Sequence, residues 1–484
     1  MKSPSLPLFA SLILAACGSS SETQKQAGAP SPEAAVTAGA QGAPVAEATA
    51  VDDKAEAKPD RDELVRKALG RVPDIQTGVA QLRGLPFKTE VPAEYQSSDD
   101  FRAFVKQEIQ RELPPERNAK LGKALAHIGL LEQEMDLAKT LEDAMVSQAG
   151  AYYDPAQKKY FLVMVTSSDL TLDTISSHEL THALQDQHYD LTKYYYGHDG
   201  DGPPTFSEDE LNARRFIVEG EATFVMVAYA AFSMAKVNML EKPYVDKLRG
   251  QLEMFANMDI DALVSMTKSQ AGEFADMGED IQKSIEAMDK IPLYILVPLL
   301  ESYMKGVMPV YEAYMVGGWD AVGKLYENPP NSTEQVLHPA DKLVGKKRDY
   351  PVALSFDAPA GYEELHSEVI GELGWRVYFM LWKGSDPVAS AAGWDGDRVA
   401  VYAKDGKLVG MIATTWDTAA DAEEFEKAYS ASLAKRFPSG ARDDGTKTFI
   451  KRKGKDVYIV DGAADDSLLT QLTKTRKQQH KQDR

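Results

Sequence analysis

The sequence predicts a mainly helical α+β protein, and three observations carry that prediction. Apolar residues recur at helical spacing over residues 62–72, 99–113 and 121–148, then along 208–235 and most of 246–315. A short β-rich run, Tyr160-Phe161-Leu162-Val163-Met164-Val165, precedes another helical stretch. Beyond residue 346 the pattern changes to strand pairs about tight turns. Composition divides the chain at the same places, into segments 1–17, 18–59, 60–345 and 346–484. A net charge of −20 argues against nucleic acid as a main partner, because phosphate recognition needs a basic face.

Met1-Lys2 is a short basic start, and Leu6 to Leu14 is an apolar run too short to span a bilayer. Leu14-Ala15-Ala16-Cys17 then sets small residues before the single cysteine of the chain. This is the form of a secretory signal cut before a cysteine, and it resembles the bacterial lipoprotein lipobox. The resemblance implies a diacylglyceryl group on the Cys17 thiol and a lipid-anchored place in the cell envelope. Gly18, where an aspartate would retain the protein, implies the outer membrane in a host with two membranes. An ordinary signal with an incidental cysteine is the alternative. One cysteine also excludes an internal disulfide. Residues 18–59 are rich in Ala, Gly, Pro, Ser and Glu and lack aromatics, so they read as a disordered tether.

Within 60–345, a helix is expected to begin near Asp173 or Thr174 and run through Ser177-His178-Glu179-Leu180-Thr181-His182-Ala183-Leu184. Histidines four apart on a helix project from one face, so both imidazoles can reach one metal ion. Zinc accepts neutral imidazole nitrogen and keeps one position for water in catalytic sites. Glu179 stands beside the first ligand, where it can take a proton from that water. His188 lies six residues beyond His182, and continued helix would turn it about 240° from the metal face. Asp186, four after His182, is a candidate to orient a liganding imidazole.

The third ligand is sought on the next long helix, in Phe216-Ile217-Val218-Glu219-Gly220-Glu221-Ala222-Thr223-Phe224. A carboxylate in so apolar a run is costly to bury unless paired or metal-bound. Glu219 and Glu221 lie about 200° apart on the helix, so only one can face the metal; an ion pair with Arg214 or Arg215 is the other reading of Glu221. Glu219-Gly220-x-Ala222 resembles the Glu-Gly-x-Ala segment of gluzincin metallopeptidases. That resemblance implies a zincin-type catalytic domain (small sheet, active-site helix, helical subdomain) and one catalytic Zn2+ on His178, His182 and Glu219. It also implies Glu179 as general base, and a substrate-pairing edge strand in the 160–165 run, for which a plain sheet strand is the alternative. Thirty-six residues separate His182 from Glu219, more than in thermolysin-like chains.

Residues 291–300 are apolar but closed by Glu301 and Lys305, and read as buried core rather than a membrane span. The segment 329–339, with Ser332 or Thr333 as a helix cap and His338 before Pro339, follows Gly317-Gly318-Trp319. Together with Thr-His-Ala-Leu-Gln-Asp-Gln at 181–187 it resembles a family of bacterial and archaeal H-E-x-x-H proteins. In gluzincins a distal histidine or tyrosine donates to the oxyanion, a role that would fall to His338; a structural histidine is the alternative. The last segment is expected to be a small α+β domain. It has a helix over 373–381, strands 398–403 and 407–414 about Asp405-Gly406, and a helix from Asp417 or Thr418 to 436. A second hairpin turns at Gly454.

These readings converge on zinc-dependent hydrolysis of protein or peptide substrates in the envelope. A non-catalytic zinc-containing lipoprotein that acts as a binding or assembly module is the alternative. Action on another amide, such as that of peptidoglycan, shares the same core.

Overall fold

The computed structural model describes residues 60–148, 150–165, 168–199, 204–270, 290–345 and 347–479. Cys17, the leader and the tether lie outside the described residues. Helix α1 (Arg61–Arg83) starts at Asp60, whose side chain accepts the Asp62 amide, and stops at Gly84 in the left-handed region. Strand β1 (Ala93–Tyr95) and helix α2 (Ser98–Glu112) follow. The stretch expected as one helix over 121–148 is two, α3 (Pro115–Ile128) and α4 (Leu137–Gln148). Gly129 at φ +84° ends the first, a conformation that L side chains resist.

Strands β2 (Ala151–Asp154) and β3 (Lys159–Leu162) form a hairpin, and the sheet order is β1-β3-β2. The turn is set by the Asp154 carboxylate, which accepts the amides of Ala156 and Gln157. β3 is therefore the central strand, parallel to β1 and antiparallel to β2. The expected edge strand at 160–165 is corrected: both its edges are taken, because Ala151-Tyr152-Tyr153 supplies a second strand that was not foreseen.

Helix α5 (Asp169–Tyr189) begins earlier than expected, capped by the Ser168 side chain on the Thr171 amide. Every residue from Ile175 to Asp186 is buried, as in a helix enclosed on all sides. Asp190, in the left-handed region, turns the chain into α6 (Leu191–Tyr196). Helix α7 (Glu208–Ala235), capped by Ser207, packs along α5. The helical layer continues with α8 (Val245–Ala256), α9 (Ile260–Gln270), α10 (Leu293–Met304), α11 (Val307–Glu327, kinked at Gly317-Gly318) and α12 (Thr333–Leu337, capped by Ser332). A Cβ on Gly220 would overlap the Gly306 carbonyl, so Gly220 brings α7 against the α10–α11 junction rather than against α5. Two stretches, Glu208–Ala235 and Leu293–Glu327, are long and apolar enough to cross a membrane. Inside the protein 72% and 67% of their apolar windows are buried, the burial that core helices have.

The remaining elements are β4 (Ala353–Ser355), β5 (Glu363–Glu368), α13 (Gly371–Trp382), α14 (Pro387–Ala391), β6 (Trp394–Lys404), β7 (Lys407–Trp416), α15 (Ala419–Arg436), β8 (Lys447–Lys453), β9 (Asp456–Ala463), α16 (Ser467–Leu472) and β10 (Arg476–Gln478). They build an antiparallel sheet in the order β5-β6-β7-β9-β8, in which the two foreseen hairpins are β6–β7 and β8–β9. The whole is α+β and mainly helical. Packing crosses the 345/346 division. α13 sends Leu373 and Val377 into the helical core and Trp375, Tyr378 and Phe379 into the C-terminal core, and α3 adds Leu125 and Ile128 to the latter.

Candidate metal centre

Helices α5 and α7 bring His178, His182 and Glu219 together. His178 Nε2 and His182 Nε2 lie 3.0 Å apart, with their rings edge-on at 86°. Glu219 Oε2 stands 3.1 Å from the first nitrogen and 3.6 Å from the second. Tetrahedral zinc with bonds of about 2.0–2.1 Å sets its ligand atoms roughly 3.3 Å from one another. The three measured edges bracket that value, so the donor set and its spacing fit zinc. Glu219 Oε1 is buried without a hydrogen-bond partner among the described residues, which a cation would satisfy.

Electrostatics point the same way. Burial pushes His178 down to about 4, which keeps it a neutral ligand. Burial also opposes charge on His182, but Glu219 outweighs it and holds the ring up at about 9. The same pairing holds Glu219 down at about 2 against desolvation. In the metal-free state a proton thus provides the positive charge that the cluster favours.

Glu179 lies beside these groups: one atom each of His178, Glu179 and His182 falls within 4.8 Å of the others. Its Oε2 accepts the Tyr153 amide of β2 at 3.0 Å. The sheet therefore contributes, from its edge strand β2, a main-chain donor that fixes the carboxylate.

The rival carboxylate Glu221 faces away from the His178–His182–Glu219 cluster. Its Oε1 accepts from Arg83 Nε, and its Oε2 from the Tyr326 hydroxyl and, at 3.0 Å, from Gln185 Nε2. Its ion-pair partner is Arg83 of α1 rather than Arg214 or Arg215, because Glu221 sits on the α1 side of α7. His188 Nε2 contacts the Pro86 carbonyl at 2.8 Å, away from the metal face. Asp186 does not orient an imidazole. It accepts from the Tyr153 hydroxyl and Lys158 Nζ, both at 2.7 Å, and from the Leu191 amide at 3.2 Å. One step back along the helix, Gln185 takes that role, with Oε1 2.9 Å from His182 Nδ1. A polar residue three after a ligand, within an otherwise enclosed helix, was the signal that could have found it.

His338 is not brought to the cluster. Its Nε2 lies 3.0 Å from both oxygens of Glu372, which also receives Arg376. Glu372 is at the start of α13, so this contact ties α12 to the C-terminal module, and the expected oxyanion role has no geometric support. A second acidic group, Glu334, Asp349 and Asp417, already holds a cation, the Lys342 ammonium, at 2.5, 3.0 and 2.8 Å.

A family model described as Domain of unknown function (DUF8575) matches residues 360–472, from β5 to α16, and does not reach the metal-centre helices. No curated protein and no solved structure matches the chain.

Proposed function

We propose that the chain is a zinc-dependent peptide hydrolase anchored in the bacterial envelope by a lipid on Cys17, its body standing off the membrane on residues 18–59. The convergence of His178, His182 and Glu219, with Glu179 beside them, supports the reading most strongly. When bound, zinc supplies Lewis acidity toward water and the scissile carbonyl. Glu179, fixed by the Tyr153 amide, takes the proton of the attacking water on its carboxylate and hands it to the leaving amine. The substrates are proteins or peptides, with nucleic acid disfavoured by the net charge of −20.

One observation favours a second reading. His178, Glu179 and Glu219 are 0% exposed and His182 is 2% exposed, whereas catalytic zinc keeps an open position. A closed centre suits a non-catalytic zinc-containing lipoprotein whose C-terminal module binds a partner. Digestion of a broad peptide library by the zinc-loaded full chain separates the two. The hydrolase reading expects cleavage by the wild type, and a Glu179→Gln variant that keeps stoichiometric zinc but loses about 10²–10⁴-fold in rate. A zinc-loaded wild type that cleaves nothing supports the second reading, and full activity in Glu179→Gln contradicts the first.

A further inference from the structure

We infer that Gln185 is a positioning residue for the metal centre, locked in one orientation by Glu221, Arg83 and Tyr326 so that His182 turns the lone pair of Nε2 toward the cation. The inference rests on the zinc reading above and assigns a purpose to the second buried carboxylate of α7.

A carboxamide has one accepting end and one donating end, and its surroundings decide which faces which way. The Gln185 side chain meets three groups. Two accept only: the Val218 carbonyl and Glu221 Oε2, each 3.0 Å from Gln185 Nε2. Reversal of the amide would set its oxygen against both. The oxygen Oε1 therefore faces the third group, His182 Nδ1, at 2.9 Å. An acceptor there requires a proton on Nδ1, so Nε2 is the nitrogen free to bind metal. That nitrogen is the one 3.0 Å from His178 Nε2 and 3.6 Å from Glu219 Oε2. The residue thereby fixes tautomer and ring angle together.

What holds Gln185 is equally determined. Glu221 is fully buried and receives Arg83 Nε–H and the Tyr326 hydroxyl, both of which can donate to it. Arg83 in turn lies over the Trp319 ring at 4.4 Å and donates to the Tyr189 hydroxyl at 3.0 Å. Tyr189 stacks on Tyr326 with centroids 4.1 Å apart. The clamp thus joins α1, α5, α7 and α11 around one amide. Glu219 and Glu221, two residues apart, divide the work: one faces the cation, the other holds the side chain that aims a ligand. His178 has no such device, because its Nδ1 lacks a hydrogen-bond partner among the described residues.

Zinc affinity of the full chain, measured by competition with a chromophoric chelator, tests this without reference to activity. Melting of the metal-free protein is followed alongside. Gln185→Leu is expected to weaken zinc by about 10–100-fold, the usual cost of losing such a partner. Gln185→Glu keeps an acceptor for His182 Nδ1 but sets its second oxygen against the Val218 carbonyl and Glu221 Oε2, so it is expected to recover only part of that affinity. In cobalt-loaded protein the His182 Nδ1 proton should give a shifted resonance that persists in water, and that broadens in Gln185→Leu. A wild type that binds zinc tightly, with Gln185→Leu unchanged or with the Leu and Glu variants equally impaired, overturns the clamp alone. A wild type that takes up no zinc overturns the metal reading and the clamp together.

Discussion

The His178–His182–Glu219 cluster and the cluster about Asp461 each bury a carboxylate completely beside nitrogen atoms, yet they are finished differently. Asp461 on β9 accepts from Thr448 Oγ1 at 2.6 Å through one oxygen and from Arg442 and Arg436 at 2.7 and 3.5 Å through the other. Burial opposes its charge, and the two arginines outweigh that and keep its pKa below the usual carboxylate range. Both oxygens are satisfied by the chain itself. Glu219 Oε2 lies against the two imidazoles, and its Oε1 has no hydrogen-bond partner among the described residues. A carboxylate given permanently charged partners is part of the scaffold. One given titratable imidazoles depends on a proton or a metal ion for its countercharge. This contrast separates two sites that burial alone would class together.

Removal of Asp461 offers the largest break in the comparison. Asp461→Ala leaves Arg436, whose side chain is 3% exposed, buried without its carboxylate. It is expected to cost about 3–5 kcal/mol in chemical denaturation, equally with zinc and with chelator. A cost that depended on metal would join the two sites and undo the distinction.

A smaller effect sharpens it. Glu208, at the start of α7, sits against the Tyr294 hydroxyl, and burial raises it to about 7. A carboxyl raised from 4.5 to about 7 binds more protons folded than unfolded between those values. Stability is therefore fullest below pH 4.5 in this component and falls as pH rises toward 7. Denaturation between pH 4.5 and 8 should show that decline in the wild type and its loss in Glu208→Gln, again independent of zinc. The effect is small because Glu208 retains partial exposure. An identical slope in both proteins would remove Glu208 as its source.

The parts of this molecule that were legible in the sequence are those where a local pattern decides. Helix α7 falls on residues 208–235 as periodicity gave it. The β6–β7 turn falls on Asp405-Gly406, and Thr418 caps α15. His178 and His182 share a face because helix geometry demands it. Misses occur where tertiary partners decide. The position of β3 at the centre of its sheet depends on β1, more than sixty residues away in sequence. The start of α5 depends on a cap at Ser168 ahead of a run with little apolar periodicity. The choice of Gln185 over Asp186 as the imidazole's partner depends on Glu221 and Val218 across a helix interface. Arg83, which occupies Glu221, lies on a helix that nothing in the H-E-x-x-H segment announces. His338 was assigned by resemblance, and its neighbour Glu372 stands in the following segment, where no local pattern could reveal it.

The most direct test is an anomalous-diffraction map of zinc-loaded protein crystals. One site is predicted, with His178 Nε2, His182 Nε2 and a Glu219 oxygen each about 2.0–2.2 Å from the metal. A map with no zinc there, or with zinc only among Glu334, Asp349 and Asp417, would contradict the account.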